Sequence, residues 1–304
     1  MDVSIIIVNY HTSALIADCL NSITAKTQGL EFEVIIVDNN SEPELESIIR
    51  NKTGLTNDSR LHFLVLPENI GFGRANNEGL RIARGRNILF LNPDTILLNN
   101  AVKILSDFLD SHSEAGACGG NLYDEDMLPA QSFRRLLPGP IWELDELLNA
   151  KIQEVIFSRN KNFNHLSRPL EVGFITGADL LVKRSVLDIT GSFSPDFFMY
   201  FEETDLCCRI KKAGYKIYSV PDAKIQHLES KSFEDTSSWE SEKKTRWLEE
   251  SRNIYYRRNL STLHRRFSLL LYRLFLHSRR LLIKKPIKKQ YYKDRLRWHY
   301  GSVN

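Results

Sequence analysis

The chain has 304 residues, 42% of them hydrophobic, which suits one large α/β domain or two smaller ones and excludes wholesale disorder. Its formal net charge of +3 hides an asymmetry: residues 243–304 carry 18 lysines and arginines against 3 acids, and the rest carries 23 against 35. An acidic body with a basic tail excludes a uniformly charged surface and calls for something to meet the tail. The four cysteines, Cys19, Cys118, Cys207 and Cys208, form no C-x-x-C pair, which argues against a zinc site or redox motif and suits a reducing cytoplasm. No basic start with an apolar run and cleavage site opens the chain, so no secretory leader is expected. No window holds eighteen uncharged apolar residues, so no membrane span is expected either.

Residues 3–8 read as a buried strand. After Tyr10 and His11, Thr12 or Ser13 caps a helix whose apolar positions Leu15, Ile16, Cys19, Leu20 and Ile23 recur at helical spacing. Residues 33–37 form a second buried strand ending in Asp38, Asn39 and Asn40. A helix over 42–50 and a strand over 61–66 follow. A glycine-containing loop, Asn69 to Gly73, leads into a helix over 74–84. Residues 88–91 form a fourth strand that closes on Asn92, Pro93 and Asp94. Continuous apolar strands alternating with helices predict a mostly parallel sheet covered on both faces, a Rossmann-like arrangement. Ligands of such sheets bind beyond the carboxyl ends of the strands. Those ends carry Asn9 with Tyr10, Asp38 with Asn39, and Asn92 with Asp94, which predicts one polar edge.

Residues 129–170, with Pro129, Pro138, Pro140 and Pro169, read as an irregular excursion that serves as a lid or specificity segment. Order returns over 172–183 and again over 197–214. Beyond Trp239 the pattern is helical and basic.

Asp94, at a strand end beside a polar stretch, is a candidate ligand for a hard divalent cation; Asn-Pro-Asp-Thr is also turn chemistry. Gly71, Gly73 and Asn76 approximate the dinucleotide fingerprint G-x-G-x-x-G, with asparagine in the third place. That keeps a nicotinamide- or flavin-dependent oxidoreductase open, beside a plain tight turn. Glu202, Glu203 and Asp205 fall within four residues and follow the aromatic run 197–201. A carboxylate against aromatic walls is partly desolvated, which favours a general base near neutral pH. Acids in the first turn of a helix are the competing reading, and Asp205 with Arg209 is a candidate helical ion pair. His227 matters chemically only if it faces Asp94.

Together these stretches resemble glycosyltransferase family 2, the inverting enzymes of GT-A fold, and within it the rhamnosyltransferase-like branch. The resemblance is carried by residues 3–10, 34–39, 69–79, 89–95, Gly177 with Ala178, 191–193 with 197–207, and His227. They occur in family order over about residues 1–235. The resemblance implies that Asn9, Tyr10, Asp38 and Asn39 hold the base and ribose of a nucleotide, and that Asn69, Gly71, Arg74 and Asn76 lie along the donor. It implies that Asn92 to Asp94 replaces the family's D-x-D, with Asp94 and His227 on the side of a divalent cation, Mg²⁺ or Mn²⁺. Glu203 falls where the family has its catalytic aspartate, with Glu202 as the alternative base. Gly177, Ala178 and Asp179 fall on the acceptor side. The implied activity is inverting transfer of a sugar, L-rhamnose from dTDP-L-rhamnose, onto a glycan or lipid-linked glycan in cell-surface polysaccharide synthesis. A UDP-hexose donor, a dinucleotide-dependent oxidoreductase and a non-catalytic sugar-nucleotide binder are the alternatives.

The expected organisation is a GT-A domain over 1–235, with a nucleotide-sugar half (1–100) and an acceptor half (101–235), and a helical extension over 236–304. Basic, aromatic-rich amphipathic helices bind anionic membrane surfaces, and the resemblance implies a peripheral place at the inner face of a bacterial membrane. Packing on the acidic body and a homodimer interface compete with that use; nucleic acid is the least favoured partner.

Overall fold

The structure, a computed structural model, describes residues 1–41, 45–55, 58–228 and 238–303. The first half alternates as expected: β1 (Val3–Asn9), α1 (Ser13–Lys26), β2 (Phe32–Asp38), α2 (Leu45–Thr53), β3 (Leu61–Val65), α3 (Phe72–Ile82) and β4 (Asn87–Leu91). Of the helix predicted over 42–50, residues 45–50 fall in α2 and residues 42–44 lie outside the described residues. Then come β5 (Thr95–Leu97), α4 (Ala101–Ser111), β6 (Ala115–Tyr123) and β7 (Phe133–Arg134). After α5 (Pro140–Leu147) and α6 (Lys151–Phe157) follow β8 (Leu170–Glu171), β9 (Phe174–Ile175), β10 (Asp179–Lys183), α7 (Arg184–Thr190), α8 (Glu202–Lys212) and β11 (Lys216–His227).

The main sheet runs β3-β2-β1-β4-β10-β6-β11-β5, with β8 on β11. Pairings among β1–β4, and of β6 with β11, are parallel; β10, β5 and β8 run antiparallel to their neighbours. Successive side chains of a strand face opposite sides. Ile5 and Ile7 therefore join a core with α1, α2 and α4, while Ile6 and Val8 join one with α3, α7 and α8. The sheet is continuous across residue 100, since β4 pairs with β10 and β5 with β11.

The stretch 129–170 corrects its expectation: it holds β7, α5 and α6 rather than a purely irregular excursion. Pro140 starts α5 instead of breaking a helix, because the first helical N–H needs no partner.

The tail folds as α9 (Ser238–Asn259), α10 (Thr262–Leu282) and α11 (Pro286–Val303). The predicted boundary at 235/236 lies outside the described residues. Tyr255 and Tyr256 of α9 are buried against Phe197 and Cys208, and α10 packs along α5. Arg252 donates to Glu143 at 2.8 Å, and Arg258 pairs with Asp196 and Asp205, so some of the tail's charge meets acids of the body. Glu249, fully enclosed, accepts from Arg295 Nε at 2.8 Å and from the Tyr272 hydroxyl, which ties α9, α10 and α11 together. Among the described residues no helix is long and apolar enough to cross a membrane.

Candidate active site

The parallel strands end in side chains that bond to one another. Asn9 Nδ2 donates to Asp38 Oδ1 at 2.9 Å and to Ser41 Oγ at 2.6 Å, and Asn9 Oδ1 accepts from the Thr12 backbone at 3.1 Å. Asn39 Nδ2 donates to Asn69 Oδ1 at 2.9 Å, while Asn39 Oδ1 accepts from Ile70 N and Asn69 Oδ1 from Gly71 N, each at 3.0 Å. Asn9, Asp38 and Asn39 are thus a buried floor, and Tyr10 beside them is 48% exposed. Ser41 and Thr12 are members of this network that the sequence reading missed. The signal was the Asp38 to Ser41 spacing, which lets a carboxylate bond the chain ahead in a turn.

The end of β4 carries the next group. Thr95 Oγ1 donates to the Asn92 carbonyl at 2.8 Å, which shapes the turn at Pro93. Because β5 and β11 pair antiparallel with Thr95 opposite His227, the histidine arrives beside the turn. His227 Nε2 lies 3.3 Å from Asp94 Oδ1 and 3.4 Å from Asn92 Nδ2, with Asp94 and His227 both buried. A carboxylate and an imidazole so close fit a divalent cation that completes its shell with phosphate oxygens and water. Among the described residues no group of three His, Cys, Asp or Glu assembles.

Glu203 comes from the first turn of α8. Tyr200 and Phe201 before it are both left-handed, with φ of 69° and 66°, a strained pair for aromatic residues. The turn is held from α9: Ser251 Oγ donates to the Met199 carbonyl at 2.8 Å, Phe201 packs on Tyr255, and Arg252 sits 5.3 Å over the Phe201 ring. A β-carbon on Gly177 would lie 3.9 Å from Glu203 Cγ, and the Ala178 carbonyl accepts from Asn92 N at 2.9 Å. The Gly177–Ala178 turn therefore bridges the Glu203 side and the Asn92–Asp94 side. Burial raises the Glu203 pKa, and the Thr204 hydroxyl donates to it at 3.1 Å. Burial and the neighbouring Glu203 charge push Glu202 well above the carboxylate range.

Other predicted members sit elsewhere. Asp179 is fully enclosed and accepts from the Gly120 backbone N–H, so it belongs to the sheet interior rather than to an acceptor surface. Asn76 is equally enclosed and donates back to the Phe72 carbonyl within α3, not along an open donor groove. Arg74 donates to the Pro195 carbonyl at 2.7 Å and lines a cleft with Asp196, Ile254, Arg257 and Arg258, none of them predicted site residues. The Asp205–Arg209 ion pair forms at 2.8 Å. Gly71, with φ of 90°, packs against the Phe198 carbonyl so closely that a β-carbon would sit 2.3 Å from it. Gly73 is closed off by Phe193 and Glu202. These glycines serve the seam between α3 and the 192–201 loop, which weakens the dinucleotide reading.

The description Glycosyl transferase family 2 fits residues 4–189. The chain belongs to that family. This member of glycosyl transferase family 2 is 30% identical over 155 residues to the N-acetylglucosaminyl-diphospho-decaprenol L-rhamnosyltransferase of Mycobacterium tuberculosis (strain CDC 1551 / Oshkosh), a match over 48% of each chain. It therefore spans about half the length of that relative. It is 27% identical over 234 residues to rhamnosyltransferase WbbL of Escherichia coli (strain K12), covering 72% of this chain and 80% of that one. The mannosyltransferase PcManGT from Pyrobaculum calidifontis, solved with GDP-Man and Mn²⁺, superposes with a TM-score of 0.60 at 14% identity, covering 99% of this chain and 86% of that one. S. aureus TarS 1-349 with UDP-GlcNAc gives 0.59 at 17% identity, over 100% and 82%. These likenesses establish the GT-A fold expected from the sequence. The family match stops at residue 189, before Glu203 and His227.

Proposed function

We propose that this chain is an inverting glycosyltransferase that moves L-rhamnose from dTDP-L-rhamnose onto a hydroxyl of a glycan or lipid-linked glycan. The observation that carries the reading is the convergence of Asp94, His227 and Asn92 at one strand edge, bridged through Ala178 and Gly177 to Glu203. The rhamnosyl donor and lipid-linked acceptor rest on the names of the relatives; a UDP-hexose is the competing donor.

In this reading residues 1–100 serve the nucleotide sugar and 101–235 the acceptor. Tyr10 offers a face for the base, over the floor of Asn9, Asp38 and Asn39. Asp94 and His227 would hold Mg²⁺ or Mn²⁺, which when bound supplies positive charge beside the departing diphosphate. Glu203 takes the proton of the acceptor hydroxyl while its oxygen attacks the anomeric carbon. The carbon–oxygen bond to the diphosphate breaks with its electron pair leaving on the nucleotide, and the configuration inverts. A single carboxylate on the acceptor side suits such a displacement, whereas a glycoside hydrolase needs two flanking the sugar. Glu203 is preferred to Glu202 because it borders Gly177, while Glu202 is buried.

Titration calorimetry tests the reading with dTDP-rhamnose, UDP-glucose, UDP-galactose, UDP-N-acetylglucosamine, GDP-mannose and NAD(H). Each is measured with Mn²⁺ or EDTA, on wild type and Asp94→Ala. Metal-dependent binding of one nucleotide sugar, abolished in Asp94→Ala, is the expected result. Binding of NAD(H) alone, indifferent to metal, overturns it.

A further inference from the structure

The inner side of α10 is conventional: Leu271, Tyr272, Phe275 and Leu276 are buried against α5 and its neighbours. Its outer side is not. Leu263, Phe267, Leu270, Leu274 and Leu281 are 77%, 50%, 53%, 49% and 80% exposed. Their separations of four, three, four and seven residues place them in one stripe, opposite the buried side. Over 18 residues at 1.5 Å each the stripe is about 27 Å long. Scattered exposed leucines need no explanation, but a continuous apolar stripe does.

The flank of the stripe is basic. Arg266, Arg273 and Arg280 recur every seven residues along one side of it, and Arg266 and Arg280 are exposed. Lys284 and Lys285 continue the charge past the end of the helix. Next to α10, helix α5 exposes Ile141 and Leu144, with Leu148 exposed just past its end. An apolar stripe bordered by arginines matches a surface that is apolar below and anionic above.

We propose that the outer face of α10 docks on an anionic lipid bilayer, with the stripe among the headgroups and the exposed Arg266 and Arg280 on the lipid phosphates, while Arg273 between them is held by His299 and Tyr300 of α11. The helix lies in the surface rather than across it. The inference rests on none of the steps of the transfer reaction, although it would present a lipid-borne acceptor to the site. The dock is coupled to the site mechanically. Tyr272 of α10 bonds Glu249 of α9, and α9 holds the Tyr200–Phe201 turn that carries Glu203.

The test is flotation of the full chain with vesicles of phosphatidylcholine alone, and of phosphatidylcholine and phosphatidylglycerol in equal parts. Wild type is compared with Phe267→Ser/Leu270→Ser and with Arg266→Ala/Arg280→Ala. All four positions point outward, and urea unfolding verifies each variant. Wild type is expected to float with the anionic vesicles. Each arginine lost is worth roughly fivefold at low salt, so the arginine pair lowers partitioning roughly 30-fold, and the apolar pair lowers it further at high salt, where charge is screened. The proposal is overturned if wild type stays with the unbound fraction, or if both folded variants float like wild type. It is equally overturned if light scattering shows a dimer that Phe267→Ser/Leu270→Ser dissociates while no vesicle binds, or if an oligonucleotide binds and vesicles do not.

Discussion

Replacing Glu249 by glutamine isolates what holds the C-terminal helices to one another. Burial acts to raise the Glu249 pKa, but Arg295, His299, Arg252 and Tyr272 overcome it and hold the carboxyl at about 2, against an ordinary 4.5. At 1.36 kcal/mol per unit that difference contributes about 3 kcal/mol at neutral pH. Since the folded pKa lies below the unfolded one, the contribution is complete above about pH 5 and fades as pH falls toward 2. Glu249→Gln removes the charge and leaves Arg295 buried without it, a loss of similar size, about 3–5 kcal/mol. Urea unfolding of both proteins between pH 3 and pH 7, followed by circular dichroism, gives the gap directly. The gap should be near 3 kcal/mol at the upper end and shrink steadily toward the acid end. A gap below about 1 kcal/mol at pH 7, or one that is constant across the range, would refute the reasoning.

Two further outcomes bear on the site. Glu203→Gln should lower turnover by about 10²–10⁴ while nucleotide-sugar binding persists. Because burial raises Glu203, the wild-type rate should climb with pH through a value above 4.5, and an unchanged climb in the variant would move the base elsewhere. Gly71→Ala combines a φ of 90° with a carbon 2.3 Å from the Phe198 carbonyl, so it should cost about 2–4 kcal/mol of stability. A urea midpoint equal to wild type would show that the 192–201 loop yields freely.

The parallel half of the sheet was legible because β1, β2 and β4 are apolar but for Ser4, Glu33 and Asn87 and run into polar residues at their carboxyl ends. Asp94 was legible for the same reason. His227 was visible only as a lone histidine, since the pairing of β5 with β11 joins stretches far apart in sequence. The mixed half was harder: β7, β8 and β9 are two residues each and carry no periodic signal. Pro140 read as a loop marker because a helix-starting proline looks like a helix-breaking one. Asp179 and Asn76 read as site residues by position, and their enclosure depends on packing that neighbouring residues do not reveal. The tail's amphipathic pattern was apparent, but not that Tyr255 and Arg252 prop the turn before Glu203. The consecutive left-handed residues there have no glycine or asparagine to announce them.

Asn92 and His227 meet although 135 positions separate them, and they meet only through the outermost strand pairing of the sheet. During synthesis the polar floor of Asn9, Asp38 and Asn39 can close once the chain has passed Asn69, while the Asp94–His227 pair waits for nearly three-quarters of the chain. A slip of one residue in that final pairing would turn His227 to the opposite face. If Asp94 and His227 hold a cation as proposed, its affinity reports whether β5 and β11 have paired in register.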